Sequence, residues 1–259
     1  TYHVGHFIFL DYVPPFTRQE RMLPNTGFAH PHRGIATITY VLSGEAEHFD
    51  SRGHRAKVHS GGVQWMKAGN GIIHDETMNA DSKTTNPLNH GFQFWVNLPA
   101  NIKKENPDYM ALQSDELPSI TLANDIGWLK VVVGEYNGFH SNIPTYANQY
   151  LFHIHLKAGE KFQYMTEKGK EYALFPPQHT VIVNEMEVQA GTLIGFDNHQ
   201  SLIEIVNKSD SNADILLFGG EKYTEPFVAY GPFVMSSEDE IRIAYSDYQN
   251  GKYGRILYT

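Results

Sequence analysis

Phe28-Ala-His-Pro-His-Arg-Gly-Ile-Ala-Thr-Ile-Thr-Tyr-Val-Leu-Ser-Gly44 is the stretch whose reading decides the fold. From Gly34 onward it is rich in β-branched and aromatic residues and closes on a turn glycine, which reads as a strand. Ala46 to Phe49 reads as the next strand. After the Asp50-Ser-Arg-Gly53 turn come Ala56 to His59, the Gly61-Gly62 pair and Val63-Gln-Trp-Met66. Gly69-Asn-Gly71 turns the chain into Ile72 to Glu76, and Gly91 to Leu98 alternates as a strand with one buried face. Short strands arriving at this spacing predict an all-β sandwich or barrel.

Pro99 to Pro118 interrupts the rhythm with Lys103-Lys-Glu-Asn-Pro107 and Ser114-Asp-Glu-Leu-Pro118 and is expected to connect two domains. Strand-like runs then resume at Trp128 to Val133, Tyr150 to Leu156, Tyr172 to Leu174, Thr180 to Val183, Thr192 to Phe196, Leu202 to Val206 and Ala213 to Phe218. The expected division is an N-terminal domain over 1–118, a C-terminal domain over 119–235 and a helical tail over 236–259. In the tail, Ser237-Glu-Asp-Glu240 is a capping box, and Ile241, Ala244, Tyr245 and Tyr248 form an apolar stripe. A helix this short should dock that stripe on a barrel.

The 259 residues suffice to bury full cores. A net charge of -9 argues against general affinity for nucleic acid or anionic membrane. With no cysteine, disulfides, thiol nucleophiles and thiolate metal sites are excluded. No apolar run reaches the roughly 18 residues of a membrane span, and the start has no basic segment followed by an apolar one. The expected location is cytoplasmic.

His30 and His32 share one strand face because side chains alternate along a strand, and His74 and Glu76 repeat the same one-residue spacing. Pro31 lacks an N–H and has a fixed φ, which suits a strand entrance or edge. If the two strands lie side by side in a small barrel, three imidazoles and one carboxylate converge. Such a set suits Fe(II), Mn(II), Ni(II), Cu(II) or Zn(II) better than Mg or Ca. Four ligands close a tetrahedral zinc site but leave two positions open on an octahedral ion. His153 and His155 also share a face, yet no carboxylate or third histidine follows at matching spacing, so a structural role is expected. His48, His54 and His59, around the Asp50 turn, are expected at the surface. Arg33 reads as an anion-steering group or an ion-pair partner, and Trp65 and Trp95 as core or pocket wall.

Taken together, His30-Pro-His-Arg-Gly34, Gly61-Gly-Val-Gln-Trp-Met66, Gly69-Asn-Gly-Ile-Ile-His-Asp-Glu76, Phe92-Gln-Phe-Trp-Val-Asn-Leu98, Gly219-Gly-Glu221 and Gly231-Pro-Phe-Val-Met235 resemble the pirin family of bicupins. The resemblance implies two cupin-type, jelly-roll β-barrel domains with a C-terminal helix. It also implies one mononuclear non-haem iron in the N-terminal barrel, with ligands matching His30, His32, His74 and Glu76. The C-terminal barrel, entered at Gly159-Glu-Lys-Phe-Gln-Tyr164 without a His-X-His, should be metal-free. The implied activity is a dioxygenase using O2 on quercetin-like flavonols or related enolic substrates, with Glu76 as candidate catalytic base. The competing expectations are an iron-dependent, redox-sensing coregulator that binds a protein partner without turnover, and a zinc-binding cupin without chemistry.

Overall fold

The computed structural model describes residues 3–25, 27–197 and 200–258. Its contacts form two units, one of Phe7–Glu116 with Thr224–Thr259 and the other of Thr1–His6 with Leu117–Tyr223.

In the first unit the strands are β1 (Phe7–Thr17), β2 (His30–His32), β3 (Ile35–Ser43), β4 (Glu45–Asp50), β5 (Arg55–His59), β6 (Val63–Lys67), β7 (Ile72–Asn79), β8 (Leu88–Asn97) and β9 (Asp108–Leu112). They form a five-stranded sheet in the order β1-β8-β3-β6-β9 and a four-stranded sheet in the order β2-β7-β4-β5. Ile35 and Met66 from one sheet pack with Ile72 from the other, and Val41 packs with Ala46 and Val58, so the core lies between the sheets. Covered on both faces, β3 is buried from Ile35 to Val41, which explains why apolar residues and two threonines fill it without a charge.

Two elements depart from the sequence reading. β1 carries Pro14 and Pro15, which it tolerates at the sheet edge where its pairing with β8 shifts register between Val13 and Phe16. The stretch expected to be a connection holds β9, which pairs with β6 from Val63↔Leu112 to Lys67↔Asp108.

The second unit contains β10 (Ser119–Thr121), β11 (Gly127–Val133), β12 (Glu135–Tyr136), β13 (Phe139–His140), β14 (Tyr150–Leu156), β15 (Lys161–Met165), β16 (Lys170–Phe175), β17 (Val181–Val183), β18 (Met186–Val188), β19 (Ile194–Phe196), β20 (Leu202–Val206) and β21 (Ala213–Glu221). Its sheets run β10-β11-β14-β21-β16-β19 and β15-β20-β17-β18, with β12 and β13 as a separate hairpin. One cluster that includes Phe152, Ile154, Leu174, Ile203, Ile205 and Leu217 fills the space between them.

The remaining elements, β22 (Val228–Tyr230), β23 (Phe233–Met235) and α1 (Glu238–Gln249), return to the first unit. The division therefore differs at its ends from 1–118, 119–235 and 236–259. The reason is apolar: Phe233 and Met235 pack with Ile241 and Ala244 of α1 and with Tyr253, against Ile73 of β7. Ser237 caps α1 by accepting from the Glu240 N–H, as the capping box predicts. Among the described residues no helix is long and apolar enough to cross a membrane.

Candidate metal centre

β2 and β7 pair antiparallel with His30 opposite His74 and His32 opposite Ile72. Directly opposed residues share a face, so His30, His32 and His74 converge, while Glu76 lies opposite His48 on β4. His30 Nε2 lies 3.1 Å from His32 Nε2 and 3.0 Å from His74 Nε2. Two backbone carbonyls orient this trio. His30 Nδ1 donates to Phe28 O at 2.8 Å and His32 Nδ1 to Pro232 O at 3.1 Å. A carbonyl can only accept, so both rings carry their proton on Nδ1 and turn the Nε2 lone pair inward.

His32 and His74 are fully buried, and burial is the main reason both resist protonation. Burial and the neighbouring His30 lower His32 to about 4, and burial takes His74 well below the usual imidazole range. The Nε2 atoms of His30, His32 and His74 thus face one another, and their lone pairs suit a cation between them.

Glu76 does not join the three histidines in one tight group; its carboxylate clusters with His74 and His48. Gln93 Nε2 donates to it at 2.6 Å and Thr39 Oγ1 at 3.3 Å, while His48 Nδ1 stands 3.7 Å away. Burial pushes the Glu76 carboxyl up, but His48 and Thr39 more than offset this, and it is held below its ordinary value.

His48 corrects one expectation, since it is fully buried rather than at the surface. Its place on β4, opposite Glu76 on β7, turns it inward. It bonds Asp50 Oδ2 at 3.1 Å and stacks on Tyr109 with ring centroids 4.2 Å apart. Burial opposes its protonation, yet Asp50 and Glu76 outweigh that and raise its pKa. Asp50 also accepts from the partly exposed His54 at 2.8 Å.

Trp95 borders the trio, 4.9 Å from His32 between ring centroids, whereas Trp65 is core. Arg33 forms a structural ion pair, donating to Asp247 at 2.8 Å on α1. Lys103 is buried beside the site and donates to Gly34 O, Asn97 Oδ1 and Val234 O, tying the turn after His32 to β23. Sequence reasoning missed Gln93, His48, Tyr109, Lys103 and the Pro232 carbonyl. The alternation of Gly91 to Leu98 is the one signal that could have turned Gln93 toward the site.

The other paired histidines meet a carboxylate from a neighbouring strand. Asp214 Oδ1 accepts from His153 Nε2 at 2.9 Å and His155 Nδ1 at 2.7 Å, and the Trp128 ring stacks on His155. Burial opposes ionisation of Asp214, but the two histidines hold its carboxyl well below the usual range.

Two family models match the chain, Pirin over residues 1–96 and the Pirin C-terminal cupin domain over 151–254. Pirin-1 of Arabidopsis thaliana is 36% identical over 231 residues, covering 87% of this chain and 77% of its own. Pirin-like protein 2 of the same plant is 34% identical over 89% of this chain and 72% of its own. The crystal structure of quercetin 2,3-dioxygenase from Acinetobacter baumannii superposes with a TM-score of 0.87 at 29% identity, covering 98% of this chain and 88% of that one.

Proposed function

The chain belongs to the pirin family, and from that premise we propose that it is a mononuclear metal-dependent dioxygenase acting with O2 on quercetin-like flavonols or related enolic compounds. In this reading His30, His32, His74 and Glu76 hold iron(II). The observation that carries it is the trio of imidazoles whose Nε2 atoms stand 3.0 and 3.1 Å apart, two of them aimed by backbone carbonyls. The three histidines would hold the ion and Glu76 would supply the carboxylate, a donor set that suits a divalent transition metal.

Iron(II) at this place would supply Lewis acidity toward a substrate oxygen and an electron source for O2. The chain's own residues do the rest. Three neutral imidazoles and one carboxylate around a divalent ion leave a net charge of +1, which favours a deprotonated enolate over the neutral phenol. Glu76 is placed to take the substrate hydroxyl proton, with Gln93 and Thr39 holding its carboxylate in position. The Trp95 ring beside His32 offers an apolar wall for a flat substrate. Arg33 takes no part, because Asp247 occupies it.

The test is oxygen uptake by iron-loaded protein with quercetin. Uptake matching substrate loss, abolished in His74→Ala, is the expected result; no uptake with any flavonol overturns the substrate assignment.

A further inference from the structure

The second unit holds a cavity of about 680 Å³, within the roughly 300–1,000 Å³ range of small-molecule sites, that contains none of the residues of the metal centre. Its walls come from the β12–β13 hairpin, the segment leading into β14, and β15. Three tyrosines dominate it. The rings of Tyr136 and Tyr150 each lie nearly parallel to that of Tyr164, at 6.3 Å and 24° and at 6.4 Å and 26°. The phenols stay protonated: burial raises Tyr150 well above its ordinary value, and Tyr164 is raised for the same reason.

The polar part of the wall consists of amides and hydroxyls. Gln149 is buried, and its Oε1 accepts the N–H groups of Tyr146 and Ala147 at 2.7 and 2.8 Å, which fixes the segment before β14. Among the described residues of the wall, Lys170 is the one Lys or Arg, and Glu167 pairs with it at 2.9 Å. Lys170 is therefore engaged, and His140 is the other basic side chain on the wall. The half-buried rings of Tyr136 and Tyr164 form the tyrosine platform at the wall, and Tyr150 is buried in the core cluster against which they pack.

We propose that this cavity binds a neutral, polyhydroxylated ring compound, its ring face lying on the tyrosine platform and its hydroxyls among the amides of Asn148, Gln149 and Gln163. A sugar and a polyphenol share this chemistry, and the experiment separates them.

Isothermal titration of the full chain, stripped of metal by chelation, is run with maltose, phloroglucinol, citrate and choline. Stripping keeps the outcome independent of what the metal centre does. Binding of maltose or of phloroglucinol is expected, the first identifying a sugar site and the second a polyphenol site. Tyr164→Ala should weaken it at least tenfold. Thr145→Trp, a bulky change at an exposed position of the wall that leaves the core alone, should do the same. Tyr164→Phe, which keeps the ring, should stay within threefold. Binding of neither neutral probe, binding of citrate or choline alone, or unchanged affinity in Thr145→Trp overturns the proposal.

Discussion

His32 Nδ1 donates to the Pro232 carbonyl at 3.1 Å, joining residues 200 positions apart. The apolar packing of the C-terminal segment on the first unit thereby reaches the site: β23 and α1 anchor the carbonyl that sets the tautomer of a candidate metal ligand. Phe233, fully buried next to Pro232, holds that anchor against Tyr245 and Tyr253. Phe233→Ala should cost about 3–5 kcal/mol in urea unfolding and lower metal occupancy of the folded protein. Full occupancy in the variant would detach the C-terminal segment from the site.

Gly71 enters β7 at φ +127°, and a Cβ there would sit 2.2 Å from the Tyr253 ring. Gly71→Ala is expected to lower stability by about 2 kcal/mol or more through strain and overpacking. Gly53 also has a positive φ, but nothing lies within 4 Å of its Cβ position, so Gly53→Ala should cost only about 1 kcal/mol. Equal thermal shifts in the two variants would contradict the packing argument.

The acid limb of stability should trace to Glu45 and Asp81. Burial raises both carboxyls, but Ser82, Lys57 and Arg21 around Glu45, and Lys83, Ser60 and His59 around Asp81, bring each down to about 2. Folded values below the unfolded ones of 4.5 and 3.8 mean that this stability is complete above about pH 5 and is lost as pH falls toward 2. Screening at Arg21, which is 40% exposed, reduces the Glu45 contribution to on the order of 2 kcal/mol. Denaturant melts of Glu45→Gln from pH 7 to 3 should show a flatter acid limb than the parent; an unchanged slope would assign the limb to other groups.

The two His-X-His pairs should separate cleanly by metal content. The double variant His153→Ala/His155→Ala removes the partners of Asp214 and none of His30, His32, His74 and Glu76, and should retain the parent's metal. Metal loss in that variant, in protein of native circular dichroism, would relocate the site.

The meeting of His30, His32 and His74 was legible because the period of a strand puts each pair on one face, whereas the placement of Glu76 beside His48 was not. The barrels were legible because their central strands, β3 and β14, are rich in β-branched, aromatic and aliphatic residues. β1 was hidden by Pro14 and Pro15, and β9 by its position at a sheet edge among prolines and charges. His48 looked like a surface turn residue, since its burial comes from pairing opposite Glu76 across β4 and β7. Pro232 could not be read at all as a partner of His32, because the contact uses a backbone carbonyl, which leaves no side-chain signature. Asp214 was missed because it reaches His153 and His155 from a strand distant in sequence.

The central claim is most directly tested by elemental analysis of protein purified without added metal, comparing the parent with His30→Ala and His74→Ala. His30 is the least buried of the three imidazoles, so its variant guards against misfolding. The account predicts about one iron per chain in the parent and none in either variant. A parent without metal, or with one zinc per chain, or variants that keep the parent's metal, would contradict it.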